Sequence, residues 1–166
     1  MLAVWIALGV VFFLVFMNFV RMRSMPETLT RVDPDSPEMV EAVANARKTL
    51  PYFWDKRASA LNPEDYMVKA AIEDGAMVEH FWLENPVIEG ESVRGKLGND
   101  PGIVKNVKFG ELVTVPESKI SDWMYSEGDK MHGNYTARVL AKPHTMGKAQ
   151  YEQLMAMFAP LPDVEG

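Results

Sequence analysis

The side chains with chemical potential lie between positions 79 and 138: Glu79 and His80, then Asp122, Trp123 and Tyr125, then His132, Tyr135 and Arg138. A carboxylate such as Glu79, set on an apolar strand face, must find a donor or titrate upward, and a raised pKa is what general acid–base catalysis exploits. Tyr135 and Arg138 are the donors the sequence offers it. Asp122 beside Trp123 and Tyr125 reads differently. A strand-edge aspartate accepts backbone N–H groups in turns, and a buried Trp–Tyr pair needs acceptors for its own N–H and O–H. A polar clasp that closes a sheet is therefore preferred there over a binding site.

Metal and phosphate chemistry find little support. His80, His132 and His144 are far apart, with no i, i+4 pair. A two-histidine site with Glu79 or Asp122 would require the last hairpin to cross the first. GxGxxG, P-loop, GxSxG and HExxH patterns are absent. The acids of Gly98-Asn99-Asp100-Pro101-Gly102 would repel phosphate, and the run is too short for a calcium loop. No cofactor is expected.

The elements that must position these residues read as follows. Ser36-Pro37 is a helix start, and Met39, Val43, Ala46 and Leu50 recur on one helical face. Leu50-Pro51 predicts its end or a kink, with Tyr52, Phe53 and Trp54 forming an aromatic turn against the core. Segments 66–73 and 76–83 flank Asp74-Gly75 as a hairpin. That register pairs Ile72 with Met77, Ala70 with Glu79 and Lys69 with His80. Period-two alternation then puts Glu79 on the apolar face and His80 on the other, so the two cannot serve one substrate atom. Val87-Ile88 and 92–97 form a second hairpin, 112–115 a strand stopped by Pro116, and 120–125 with 135–140 a final strand pair around a polar loop at 126–133. Tyr151, Leu154, Met155 and Phe158 lie on one face of a closing helix. The expected fold is α+β: a small, curled, mostly antiparallel sheet with one N-terminal and one C-terminal helix, preceded by a transmembrane helix.

That last element comes from composition. The chain has 166 residues, no cysteine and a net charge of −6, but the charge is divided unevenly. Residues 1–20 (MLAVWIALGVVFFLVFMNFV) hold no charged side chain and one polar residue, Asn18. A helix of that length is about 30 Å long, the thickness of the hydrocarbon layer. Residues 1–23 carry only Arg21 and Arg23, whereas the other 143 carry 15 basic and 23 acidic side chains, a net of −8. A secretory signal peptide would begin with positive charge and end in small residues, and this run does neither. Residues 1–23 thus read as an uncleaved anchor touching membrane lipid through residues 2–20, and 24–35 as a linker. Arg21, Arg23 and Arg31 all follow the span, which places the N-terminus outside and the acidic body in the cytoplasm, at a bacterial inner membrane. The absence of cysteine excludes disulfide and thiol chemistry, and the acidic body argues against nucleic acid as a partner.

Six segments carry a resemblance: 39–51 (MVEAVANARKTLP), 78–82 (VEHFW), 95–101 (GKLGNDP), 109–116 (FGELVTVP), 120–125 (ISDWMY) and 133–140 (GNYTARVL). Together they resemble the YegJ-like bacterial domain of unknown function over residues 36–142, leaving 143–166 as an added helix and tail. The resemblance implies a small α+β domain and carries no activity with it. More loosely, the chain is similar to small domains among immunity proteins of bacterial toxin systems. Three functions are in contention: a membrane-tethered protein-binding or scaffold module, an immunity-type protein masking a basic toxin, and a hydrolase or isomerase using Glu79. A convex surface with Glu79, Asp122 and His132 tied into hydrogen bonds would favour the first.

Overall fold

The computed structural model describes residues 36–163, which fall within one compact unit. The anchor and the linker expected at 1–35 lie outside the described residues. Among those described, no helix is long and apolar enough to cross a membrane.

The first helix, α1 (Pro37–Lys48), starts as its sequence dictates. The Ser36 hydroxyl accepts the Met39 N–H, Pro37 occupies the first turn, and Arg47 and Lys48 sit in the last turn, where the helix dipole favours cations. The expected break falls at Thr49, just before Leu50-Pro51. A second helix, α2 (Leu50–Ala58), begins after Thr49, with Pro51 in its first turn, where a missing N–H costs nothing. The aromatic run 52–54 is therefore helical rather than a turn: Phe53 is buried, Trp54 half-buried and Tyr52 exposed.

Six antiparallel strands follow: β1 (Tyr66–Asp74), β2 (Met77–Glu89), β3 (Ser92–Leu97), β4 (Leu112–Pro116), β5 (Ile120–Glu127) and β6 (Lys130–Gly133), in the order β4-β3-β2-β1-β5-β6. The β1–β2 register differs from expectation by two residues. Asp74 pairs with Met77, Ile72 with Glu79 and Ala71 with His80, so Gly75-Ala76 is the turn, with Gly75 at φ +62°. A two-residue slip preserves the faces, and Glu79 stays on the core side. Val87 and Ile88 belong to β2, which runs through a bulge at Glu84–Val87. The buried Pro86 fits there because a bulge frees it from donating to the ladder.

Chain length forces the sheet to curl. β4 and β5 are four strand spacings apart in the sheet order, about 19 Å if flat. Only the 3-10 turn Glu117–Lys119 joins them, and four Cα steps reach at most about 14 Å. The concave face holds the core: Val68, Ala70, Phe81, Leu83, Val93, Leu97, Ile120 and Trp123 are fully buried, with Phe53 and Ala46 from the helices above them. Val104, from the long connection between β3 and β4, is buried in the same core.

Residues 135–140 form a helix, α3 (Tyr135–Leu140), rather than the expected strand, and the strand partner of β5 is β6, from the segment expected to be a polar loop. The cause is local. Gly133 and Asn134 take consecutive left-handed conformations, φ +72° and +57°, which turn the chain out of the sheet. A short helix, α4 (Pro143–Met146), precedes the expected closing helix, α5 (Lys148–Met157), and Phe158 lies just beyond it, where the chain bridges back to β6 at Met131.

A Cβ at residue 133 would overlap the Trp123 carbonyl oxygen and indole ring. Gly133→Ala should therefore cost roughly 2–4 kcal/mol in urea unfolding. Gly128→Ala provides the control. It shares a positive φ (+61°) but has nothing within 4 Å, and should cost about 1 kcal/mol. Equal losses at the two sites would refute the steric account.

Candidate functional site

β5 and β6 pair only over Met124–Glu127. Upstream of Met124 the neighbouring chain has already turned into α3, and Asp122 fills the gap. Its Oδ1 accepts the N–H groups of Trp123 (2.8 Å) and Tyr135 (3.0 Å). Its Oδ2 accepts the N–H of Thr136 (2.8 Å) and the Thr136 hydroxyl (2.6 Å). The Asn134 side chain makes no capping bond, so the first turn of α3 is capped by an aspartate from a distant strand. Asp122 is fully buried. Burial pushes its pKa up, while the Thr136 and Trp123 donors pull the other way.

Trp123 and Tyr135 converge on Thr49, which ends α1. The Trp123 indole N–H donates to the Ala46 carbonyl (3.0 Å) and to the Thr49 hydroxyl (3.1 Å), and Tyr135 Oη lies 2.8 Å from the same hydroxyl. The Thr49 hydroxyl also donates within reach of the Asn45 carbonyl at 2.9 Å, so it joins the end of α1 to both aromatic side chains. The polar clasp expected around Asp122 and Trp123 is present, with Thr49 and Thr136 as members that the sequence reading did not name.

Tyr125 stands at the centre of a ring ladder across three strands. It stacks on Tyr66 at 4.7 Å between centroids and on His132 at 4.4 Å, with interplanar angles of 8° and 5°. Its hydroxyl lies 3.3 Å from that of Tyr52. Burial, and then the Tyr52 hydrogen bond, push the Tyr125 phenol far above its ordinary pKa, so it stays neutral. His132 is half-buried, 3.6 Å from the Glu127 carboxylate. Burial lowers its pKa and Glu127 opposes the shift.

Glu79 is half-buried, and Tyr135 and Arg138 are not its partners. Its carboxylate is cradled by backbone N–H groups of the β3–β4 connection: Gly102 at 2.9 Å, Ile103 at 2.9 Å and Val104 at 3.1 Å. Burial alone would raise its pKa, but these donors and Lys105 outweigh it, and the net shift is downward. Arg138 instead holds the C-terminal segment. It donates to the carbonyls of Gly133 (3.0 Å) and Ala159 (2.6 Å) and lies over the Phe158 ring. His80 points to the opposite sheet face, as expected, with Nδ1 2.8 Å from the Ser121 hydroxyl. Partial burial and the charges of Lys69 and Arg47 lower its pKa. His80 and His132 therefore serve separate surfaces on different strands, and among the described residues no group of three His, Asp or Glu side chains could hold a metal ion.

The remaining segments quoted above behave alike. Gly95 lets β3 approach β2, since a Cβ there would lie 2.8 Å from the Leu83 Cβ. Where β3 ends, Asn99 Oδ1 accepts the Trp82 N–H (3.0 Å) and the Gly98 N–H reaches the Trp82 carbonyl (2.8 Å), continuing the ladder with a side chain.

A carboxylate whose pKa is lowered in the folded state stabilises that state above its unfolded pKa, about 4.3 for Glu, and the contribution is lost as pH falls through the lower folded value. Glu79→Gln should therefore be less stable than the parent chain by about 1–3 kcal/mol at pH 7, with the gap closing in acid. Urea midpoints at pH 7 and pH 3 measure this, and a gap that persists in acid would contradict an ionised tether.

The chain matches the family described as "Uncharacterized protein conserved in bacteria (DUF2314)" over residues 36–157. It is 36% identical to "Uncharacterized protein YegJ" of Escherichia coli (strain K12) over 126 residues, covering 74% of this chain and 80% of that one. It is also 36% identical over 104 residues to a "Putative ankyrin repeat protein" of Neisseria meningitidis serogroup B, covering 57% of this chain but only 41% of that longer one. No solved structure matches. The matched span begins at the cap of α1 and takes in both carboxylate clasps, and on that match the chain belongs to the DUF2314 family of bacterial proteins.

Proposed function

We propose that this protein is a membrane-tethered protein-binding module: a single-pass anchor at residues 1–23 holding an acidic α+β body on the cytoplasmic side of a bacterial inner membrane. The observation that carries the binding reading is the occupancy of its best catalytic candidates. The four donors on Asp122 and the three amides on Glu79 make each carboxylate a tether for the chain rather than a base for a substrate. Large apolar side chains stand in solvent instead: Met77 and Val78 on the β1–β2 hairpin, Ile103 on the loop that holds Glu79, and Leu112 on β4. Exposed apolar groups rimmed by charge suit a protein partner. Tethering suits modest affinity, because two membrane-bound proteins meet at a high effective concentration. The anchor reading is supported by the charge-free run 1–20 and the arginines after it.

Three measurements test this reading. The full chain should stay in the vesicle pellet after an alkaline carbonate wash, and alkaline phosphatase fused after Gly166 should be inactive. Release into the wash would remove the anchor, and an active fusion would reverse the orientation. A pull-down from detergent-solubilised membranes should recover one partner in comparable yield with the parent chain and with folded Glu79→Gln. Loss of the partner in that variant would place Glu79 in the interface instead.

A further inference from the structure

The curled sheet does not close on itself. Beyond the last β1–β5 pair, Ala70 with Ile120, residues 71–73 of β1 form one wall of a groove whose other wall is β4. Asn106, Val107 and Lys119 also line the groove. The bonding parity of β4 follows from the Leu97 N–H, which donates to the Glu111 carbonyl at 2.8 Å. Antiparallel alternation then gives Gly95–Val113 and Val93–Val115 the bonds between β3 and β4. Leu112 and Thr114 turn their N–H and C=O groups toward the groove, while Pro116 offers only a carbonyl. Among the described residues, no strand pairs with this edge.

We infer that this groove is the partner-binding site, taking an extended peptide as an added strand on β4. This rests on the protein-binding reading above and names its partner class. The side chains fix what the peptide must be. Val113 and Val115 are buried while Leu112 is 58% exposed, so a β4 neighbour finds apolar surface at alternate positions. Glu73 and Glu111 line the groove, Lys119 pairs with Glu73, and the body carries a net −8, so the peptide is flanked by basic residues. Five residues of strand span about 17 Å, which fits the five-residue centre of a heptapeptide and leaves its two ends overhanging. The shortness of β4 and the missing donor at Pro116 also keep the edge from pairing indiscriminately.

The probe is the acetylated, amidated peptide Lys-Thr-Val-Thr-Val-Thr-Lys, titrated against the full chain in detergent micelles by fluorescence anisotropy. Saturable binding is expected, at least tenfold weaker for the same peptide with glutamate at both ends. Thr114→Pro removes an N–H that antiparallel alternation turns away from β3, so it should keep the melting temperature and lose at least tenfold in affinity. Glu111→Gln, which keeps an acceptor for the Lys108 N–H, should narrow the preference for lysine ends. Absence of saturable binding, or equal binding of both peptides to the parent chain and to Thr114→Pro, would overturn the inference. A concentration-dependent dimer abolished by Thr114→Pro would overturn it in favour of a second copy of this chain. Undiminished capture of the membrane partner by Thr114→Pro would reject the groove while leaving the protein-binding reading standing.

Discussion

A fully buried aspartate held by four neutral hydrogen-bond donors sets the terms for this structure. Desolvating a carboxylate costs several kcal/mol, and each hydrogen bond to a charged group returns about 1.5–3 kcal/mol. Four donors on Asp122 roughly offset that cost, so the net gain in stability is small and the gain in placement is large. An amide in its position would set an NH2 group against N–H donors. With α3 pinned to β5, the Tyr135 hydroxyl meets Thr49, and Thr49 receives Trp123 as well. One carboxylate thus decides how α1, β5 and α3 meet, and Gly133 makes the approach possible by having no side chain.

The second carboxylate does the same work at the other end of the core. The β3–β4 connection adds Val104 to the core that α1 and α2 cover and packs Val107 against it. A connection without regular structure leaves backbone donors unpaired, and Glu79 collects three of them. Asp74 and Glu73 add to this by accepting from the Lys105 N–H and the Asn106 amide. The hairpin tip thereby holds the loop, and the loop seals the core.

The strand pattern was legible in the sequence because alternation is local. Tyr66 to Ile72 and Phe81 to Leu83 bury every second residue, and the face of Glu79 and the opposition of His80 follow from the same arithmetic. What failed was non-local. Tyr135, Ala137 and Val139 alternate like a strand, yet their conformation is set by a left-handed pair before them and a carboxylate thirteen positions upstream. A sequence displays side chains, whereas the donors for Glu79 are main-chain N–H groups of a Gly-Pro loop. Thr49 and Thr136 are silent in the sequence for a related reason: a hydroxyl finds its partners through geometry that spacing does not encode. Glycine and asparagine in Gly133-Asn134 were the one available signal for that turn.

The two carboxylates respond to acid with opposite sign, which separates the rim of the fold from its centre. The pKa of Glu79 is lowered in the folded state, so its tether weakens as pH falls through that value. That of Asp122 is raised by burial, so the folded state takes up a proton more readily than the unfolded one, and acidification relieves the cost of burying its charge. Its proton would find an acceptor in the Thr136 hydroxyl, which can rotate from donor to acceptor. Acid should therefore open the β3–β4 connection before it disturbs the β5–α3 junction. Amide exchange, expressed as protection relative to the unstructured chain, is expected to fall first at Gly102, Ile103 and Val104 between pH 5 and pH 3. Tyr135 and Thr136 should stay protected over the same range. Simultaneous loss at both sets would mean that the two clasps are one cooperative unit and that the loop is no separate cover for the core.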